Sequence, residues 1–283
     1  MGDLGLPSTR FALQLSWSAM GSNLRYTPVT MSNSQTTPTD ILNHHLIGQR
    51  YFFPRPSPLP DASYVDVTGA RLGCWRSASP STRPLLVHFH GNGELVHDWR
   101  GDFSEWVHAQ GFDLYLAEYR GYGASSGTPQ LGHMLDDVAA IAAATGTPPQ
   151  QTVVFGRSVG SLFAIEWVRR FPETRGLVIE SGIHDVSERL ELRIAPHEMD
   201  LVALRHALSE RVNHARVLEH YPGPSLFIHA EQDQLVGIAH AECNVAATQG
   251  RGRMLRLSRG GHNTILAANV QTYLGELRAF LQS

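Results

Sequence analysis

From residue 85 onward the chain repeats one pattern: a short apolar run, then a longer stretch whose apolar positions recur every three or four residues. Short unalternated runs bounded by turn residues predict buried strands, and the 3.6-residue period predicts amphipathic helices. The runs predict strands over 85–89, 112–117, 152–155, 176–179, 225–229 and 254–257, with helices over 94–110, 131–144, 158–170, 238–248 and 264–281. Strands that do not alternate must be covered on both faces, so the rhythm implies a mostly parallel α/β sheet with helices on each side. Upstream, 63–67 and 71–76 do alternate across Thr68-Gly69-Ala70, which predicts an antiparallel hairpin. Between Gly182 and Tyr221 the rhythm breaks. A charged, helical stretch replaces the short crossover there, and 183–221 is expected to form a small cap. Residues 1–40 are rich in Ser, Thr, Asn and Pro without apolar period, and read as a disordered leader with Met20 or Met31 as alternative starts. The globular domain is expected over 41–283, entered through the Pro-rich segment 51–60.

Composition narrows this picture. The 283 residues carry a formal charge of −3, which gives no reason to expect nucleic acid as a partner. All 23 basic residues are arginine. A Schiff-base lysine, a P-loop lysine and a carbamylated lysine bridging metals are therefore excluded. Two cysteines, Cys74 and Cys243, are too few for a disulfide framework and suit a reducing, cytoplasmic compartment. No apolar run reaches the ~20 residues that span a bilayer, so stable membrane insertion is not expected. The run 11–20 behind Arg10 is a weak signal-peptide likeness, interrupted by Gln14, Ser16 and Ser18. No cofactor or metal is called for.

The chemistry lies where predicted strands end. Gly156-Arg157-Ser158-Val159-Gly160 follows the run TVVF and opens the helical run SLFAIEWV. This is the context of a nucleophile elbow, in which a strand turns sharply into a helix and lifts a serine hydroxyl into the open. Gly156 and Gly160 leave room for the tight turn. A second match, Gly123-Ala124-Ser125-Ser126-Gly127, follows Tyr119-Arg120-Gly121-Tyr122 rather than a strand and reads as a loop. A serine nucleophile needs a base, and the base an orienting acid. His262, in the loop after the strand MLRL, is the candidate base; Asp233, just past the strand SLFIH, is the candidate acid, with Glu231 and Glu180 as competitors. His90-Gly91-Asn92-Gly93 ends the strand LLVHF and opens toward a helix. Its glycines let backbone N–H groups face a developing charge, so the N–H groups of Asn92 and Val159 are the candidate oxyanion hole, with His90 and Gly91 bracing the loop.

At these residues the chain resembles the α/β-hydrolase superfamily, and within it the branch of bacterial serine hydrolases and eukaryotic α/β-hydrolase-domain proteins, some of them depalmitoylases. HGNGE (90–94), YRGYGASSG (119–127), GRSVG (156–160), HAEQD (229–233) and GGHN (260–263) carry the resemblance, which covers 41 to the C-terminus. It implies an eight-stranded sheet in which the strand before HGNG lies beside the strand before GRSVG. It also implies a serine hydrolase acting through an acyl-enzyme on a small-molecule ester, thioester or amide. The family commonly has Gly where this chain has Ala230. Cap residues Leu190, Leu192, Ile194, Leu201 and Leu204 could wall an acyl pocket or simply cover the sheet. Two other readings stand beside this one. His88 and His90 have the spacing of metal ligands on a strand, which would suit a metal-dependent hydrolase. The same fold also serves some proteins as a non-catalytic binding scaffold. Oligomeric state is not legible.

Overall fold

The structure is a computed structural model that describes residues 36–77, 82–191 and 193–283; residues 1–35 of the expected leader, and Leu192, lie outside these. Two short helices open the described chain, α1 (Pro38–Leu42) and α2 (His45–Tyr51). Thr37 and Asp40 form a capping box and Pro38 occupies the first helical position, so the chain is helical three residues before the boundary expected at 41. The hairpin follows as β1 (Ser63–Val67) and β2 (Ala70–Arg76). Next come β3 (Leu85–Phe89), α3 (Asp102–Ala109), β4 (Asp113–Ala117), α4 (Leu131–Thr145), β5 (Thr152–Arg157), α5 (Gly160–Arg170) and β6 (Gly176–Glu180). The stretch expected as a cap holds α6 (Ser187–Glu191), α7 (Leu201–Arg211) and α8 (His214–His220). The chain closes with β7 (Ser225–Ala230), α9 (Ala239–Ala247), β8 (Gly252–Leu257), α10 (Ile265–Ala268) and α11 (Val270–Leu281).

The eight strands form one sheet in the order β1-β2-β4-β3-β5-β6-β7-β8. β1 and β2 run antiparallel to their neighbours, and β4 through β8 are parallel. Side chains alternate between two apolar layers. Leu85, Val87 and Phe89 join one core with Val154, Phe163 and Trp167. Leu86 joins the other with Val153, Phe155, Val178 and Leu277. Both faces are covered, which is why the strands read as unbroken apolar runs. The chain reverses its direction of winding between β3 and β5, and the carboxyl ends of those two strands carry Asn92 and Ser158. Such a reversal opens the crevice in which α/β sheets bind ligands.

Two expected helices are broken. Over 94–110 the chain makes one 3-10 turn, Val96–Trp99, and α3 begins only at Asp102, because Gly101 adopts φ 78°. Over 264–281 the helix divides at Asn269, which leaves helical geometry and donates its side-chain amide to the carbonyls of Arg259 and Ile265. Apolar spacing continues across both breaks, so periodicity alone does not see them.

Leu190, Ile194 and Leu204 are 1, 3 and 0% exposed and belong to the same core as α5. The cap is also clasped to α2. Arg50 pairs with Glu198 at 2.5 and 2.6 Å, while Arg50 and Arg193 each donate to the other's carbonyl oxygen at 2.8 and 2.6 Å.

Candidate active site

β5 delivers Ser158 at its carboxyl end, one residue past Arg157. Ser158 holds φ 52°, a left-handed conformation that a non-glycine residue adopts only when its surroundings over-determine it. Here they do. The Ser158 N–H donates to the Glu180 carbonyl at 2.8 Å, and its own carbonyl accepts from the Ser161 N–H at 3.0 Å and hydroxyl at 2.6 Å. The glycines of the motif are steric necessities. A Cβ on Gly160 would lie 2.1 Å from the Phe89 carbonyl oxygen, and one on Gly156 would lie 2.6 Å from the Gly160 carbonyl oxygen.

The three polar groups nominated from strand ends meet at one rim. Ser158 Oγ lies 2.9 Å from His262 Nε2, and His262 Nδ1 lies 2.7 Å from Asp233 Oδ2. Asp233 Oδ1 accepts the N–H groups of Leu235 and Val236 at 2.9 and 2.8 Å. Burial pushes the Asp233 carboxyl up, but the His262 hydrogen bond and the two N–H donors outweigh it and leave its pKa below the ordinary value. An ionised Asp233 puts the imidazole proton on Nδ1 and leaves Nε2 to accept from the serine hydroxyl. The competitors are elsewhere: Glu231 is exposed, and Glu180 is buried against Arg157 and Tyr273. Ala230 ends β7 in extended conformation, so no glycine is required there.

Beside Ser158 the loop after β3 turns through Gly91 and Asn92. The N–H groups of Asn92 and Val159 donate to no other group among the described residues. The Asn92 side chain, by contrast, is fully engaged. Its Oδ1 accepts from the Phe53 N–H at 2.9 Å and the Tyr122 hydroxyl at 2.8 Å, and its Nδ2 donates to the Tyr51 carbonyl at 2.5 Å. This clamp, and the parts of Tyr51, Phe53 and Tyr122 in it, lay beyond sequence reasoning, which had considered only the Asn92 backbone.

His90 lies under the same loop, with Nε2 2.6 Å from Glu118 Oε1 and Nδ1 2.8 Å from the Gly91 carbonyl. Burial pushes the imidazole pKa down, but Glu118 more than reverses this and raises it. Glu118 also accepts the N–H groups of Val96 and Tyr119, and the Tyr119 hydroxyl donates to the His90 carbonyl at 2.8 Å. His88 stands apart among Trp99, Phe103 and Phe155, where burial holds its pKa well below the ordinary value. The two imidazoles thus have separate partners and do not converge as ligands. Among the described residues no group of three or more His, Cys, Asp or Glu side chains could hold a metal ion.

The second serine motif is structural. Ser125 Oγ accepts the Gly73 N–H and Ser126 Oγ the Arg71 N–H, both at 2.9 Å, so the pair supplies acceptors to β2 where β4 does not reach it.

Arg157, the variable residue of the elbow, drew no functional expectation from its sequence context. Its Nε donates to Glu180 Oε1 at 2.9 Å, Nη1 pairs with Glu94, and Nη2 donates to the His262 carbonyl at 2.7 Å and Asn263 Oδ1 at 3.2 Å.

Sheet order, elbow and the meeting of Ser158, His262 and Asp233 at the strand ends define an α/β-hydrolase fold. The family model described as serine aminopeptidase, S33, matches residues 80–219. Human alpha/beta hydrolase domain-containing protein 17B is 22% identical over 218 residues, covering 75% of this chain and 72% of its own. YfhR of Escherichia coli (strain K12) is 23% identical over 225 residues, covering 75% and 76%. Among solved structures, Est1E from Butyrivibrio proteoclasticus superposes with TM-score 0.63 at 16% identity, over 78% of this chain and 98% of its own. The chain belongs to the α/β-hydrolase superfamily, related to the α/β-hydrolase domain-containing proteins, and is a hydrolase of that type. Among the described residues no helix is long and apolar enough to cross a membrane.

Proposed function

We propose that this protein is a serine hydrolase that cleaves an acyl ester, thioester or amide of a small molecule. The observation that carries the reading is the relay of 2.9 and 2.7 Å from Ser158 Oγ through His262 to Asp233. Ser158 Oγ attacks the acyl carbon as its proton passes to His262 Nε2, and the carbonyl electron pair moves onto oxygen. The N–H groups of Asn92 and Val159 receive that oxyanion; losing one such donor typically costs about 2.7–4 kcal/mol of transition-state stabilisation. Collapse breaks the bond to the leaving group, which takes the proton from His262. Water, deprotonated by the same imidazole, then attacks the acyl-enzyme and releases the acid and Ser158. Asp233 fixes the tautomer and stabilises the imidazolium. Support also comes from relatives: rat lysophosphatidylserine lipase ABHD12 is 26% identical over 197 residues, covering 63% of this chain and 48% of its own.

The test is p-nitrophenyl ester cleavage and labelling by a fluorophosphonate. Wild-type protein should do both, and Ser158→Ala should do neither. A Ser158→Ala variant that cleaves at the wild-type rate, or a wild-type protein inert to both reagents, defeats the reading.

A further inference from the structure

We propose that Arg157 is a positioning residue that locks the base loop and the oxyanion loop to each other and to the nucleophile. The inference rests on the serine-hydrolase reading above. Arg157 is chain neighbour to Ser158, and its side chain is 8% exposed. A guanidinium offers five donors in a rigid plane. Here they reach three separate elements: Glu180 at the end of β6, Glu94 after the turn that follows β3, and the His262 carbonyl with Asn263 Oδ1 after β8.

Each arm continues to something that bears on catalysis. Glu94 uses its other oxygen, Oε2, to accept the Gly91 N–H at 2.8 Å and the Trp99 indole N–H at 3.1 Å. The Glu94 N–H also donates to the Gly91 carbonyl at 3.2 Å, so Glu94 holds both the Gly91 N–H and the peptide group that carries the Asn92 N–H. The second arm takes the carbonyl of His262 itself, which fixes the height of the imidazole over Ser158. The third arm is the anchor, since Glu180 also receives the Tyr273 hydroxyl from α11. Gly91 leaves the guanidinium its room: a Cβ there would lie 2.5 Å from Arg157 Nη1. One cation between two carboxylates also meets the condition for a buried charge, that it be paired and hydrogen-bonded.

A lysine in this place would keep the charge and lose the fork. It can reach one or two of these acceptors but not all of them in one plane. The loops would then move independently by about an ångström, enough to misalign base and oxyanion donors while leaving the substrate surface intact.

The experiment compares Arg157→Lys with Arg76→Lys, which weakens another buried pair, Arg76 with Asp113, at the amino end of β4 and so at the sheet end opposite the loops at issue. For each, kcat and KM on a p-nitrophenyl ester, the fluorophosphonate labelling rate and the melting temperature are measured. Arg157→Lys should lower kcat and the labelling rate on the order of 10²-fold with little change in KM, the scale of an ångström misplacement. Arg76→Lys should lose thermal stability and keep its kcat. Wild-type kcat in Arg157→Lys, or a loss no greater than that of Arg76→Lys, overturns the proposal. Glu94→Gln serves if Arg157→Lys does not fold: it should lower kcat without raising KM, and a wild-type kcat there also overturns it. A wild-type protein inert to the fluorophosphonate would instead defeat the serine-hydrolase reading, and leaves the two failures distinguishable.

Discussion

Asn92 illustrates how much of a site depends on side chains that never touch the reacting atoms. Its amide makes three hydrogen bonds, to Tyr51, Phe53 and Tyr122, and in the proposed mechanism these hold the loop whose backbone N–H meets the oxyanion. Asn92→Ala removes all three while leaving that N–H in place. The loop then relaxes, and kcat for p-nitrophenyl ester cleavage should fall on the order of 10²-fold with KM little changed. An unchanged kcat would show that the clamp is not what aims the donor. The motif HGNG identified the loop, but the need for Asn at its third position came from residues forty and thirty places away in sequence.

At the scale of elements, α2 was invisible in the apolar pattern yet supports the site. Gly48 lies in this helix, where alanine ordinarily stabilises by up to about 1 kcal/mol. A Cβ on Gly48, however, would lie 2.3 Å from the Pro129 carbonyl oxygen. Backbone cannot yield to that approach as a flexible side chain could, and overpacking costs about 1–3 kcal/mol. Gly48→Ala should therefore destabilise the protein, read as a lower midpoint in urea. It should also lower kcat, because the helix ends at Tyr51, whose carbonyl holds Asn92. The opposite sign in the urea midpoint would mean that α2 shifts freely. Strands β3 to β7 were legible because both sheet faces are buried there and apolar content is local information. The breaks at Gly101 and Asn269 were not, because a backbone turn without proline leaves the apolar spacing intact.

For the whole molecule, buried neutral histidines set the response to acid. Burial lowers the pKa of His214 to about 4, against some support from its bond to the Ile183 carbonyl, and burial also lowers those of His229 and His240. Between the ordinary value of 6.5 and about 4, unfolded chain binds a proton at His214 that native protein does not. Stability therefore falls as pH drops through that window, by about 1.4 kcal/mol per pH unit for each such proton, and stops falling on this account below it. Urea midpoints between pH 7 and 4 should show the slope. His214→Asn, whose amide can still donate to Ile183, should reduce it; an identical slope would place the titration elsewhere.

What the sequence determined by itself was the α/β alternation, the strand ends and the identity of Ser158, Asp233 and His262 as groups at those ends, because burial period and turn chemistry are written within a few residues. That Ser158 and Asp233, the candidates already favoured, come within hydrogen-bonding reach of His262 while Glu231 and Glu180 do not, and what Arg157 ties together, became visible only in three dimensions. Both depend on distances between strands that are adjacent in the sheet and distant in the chain, and no local pattern encodes such distances.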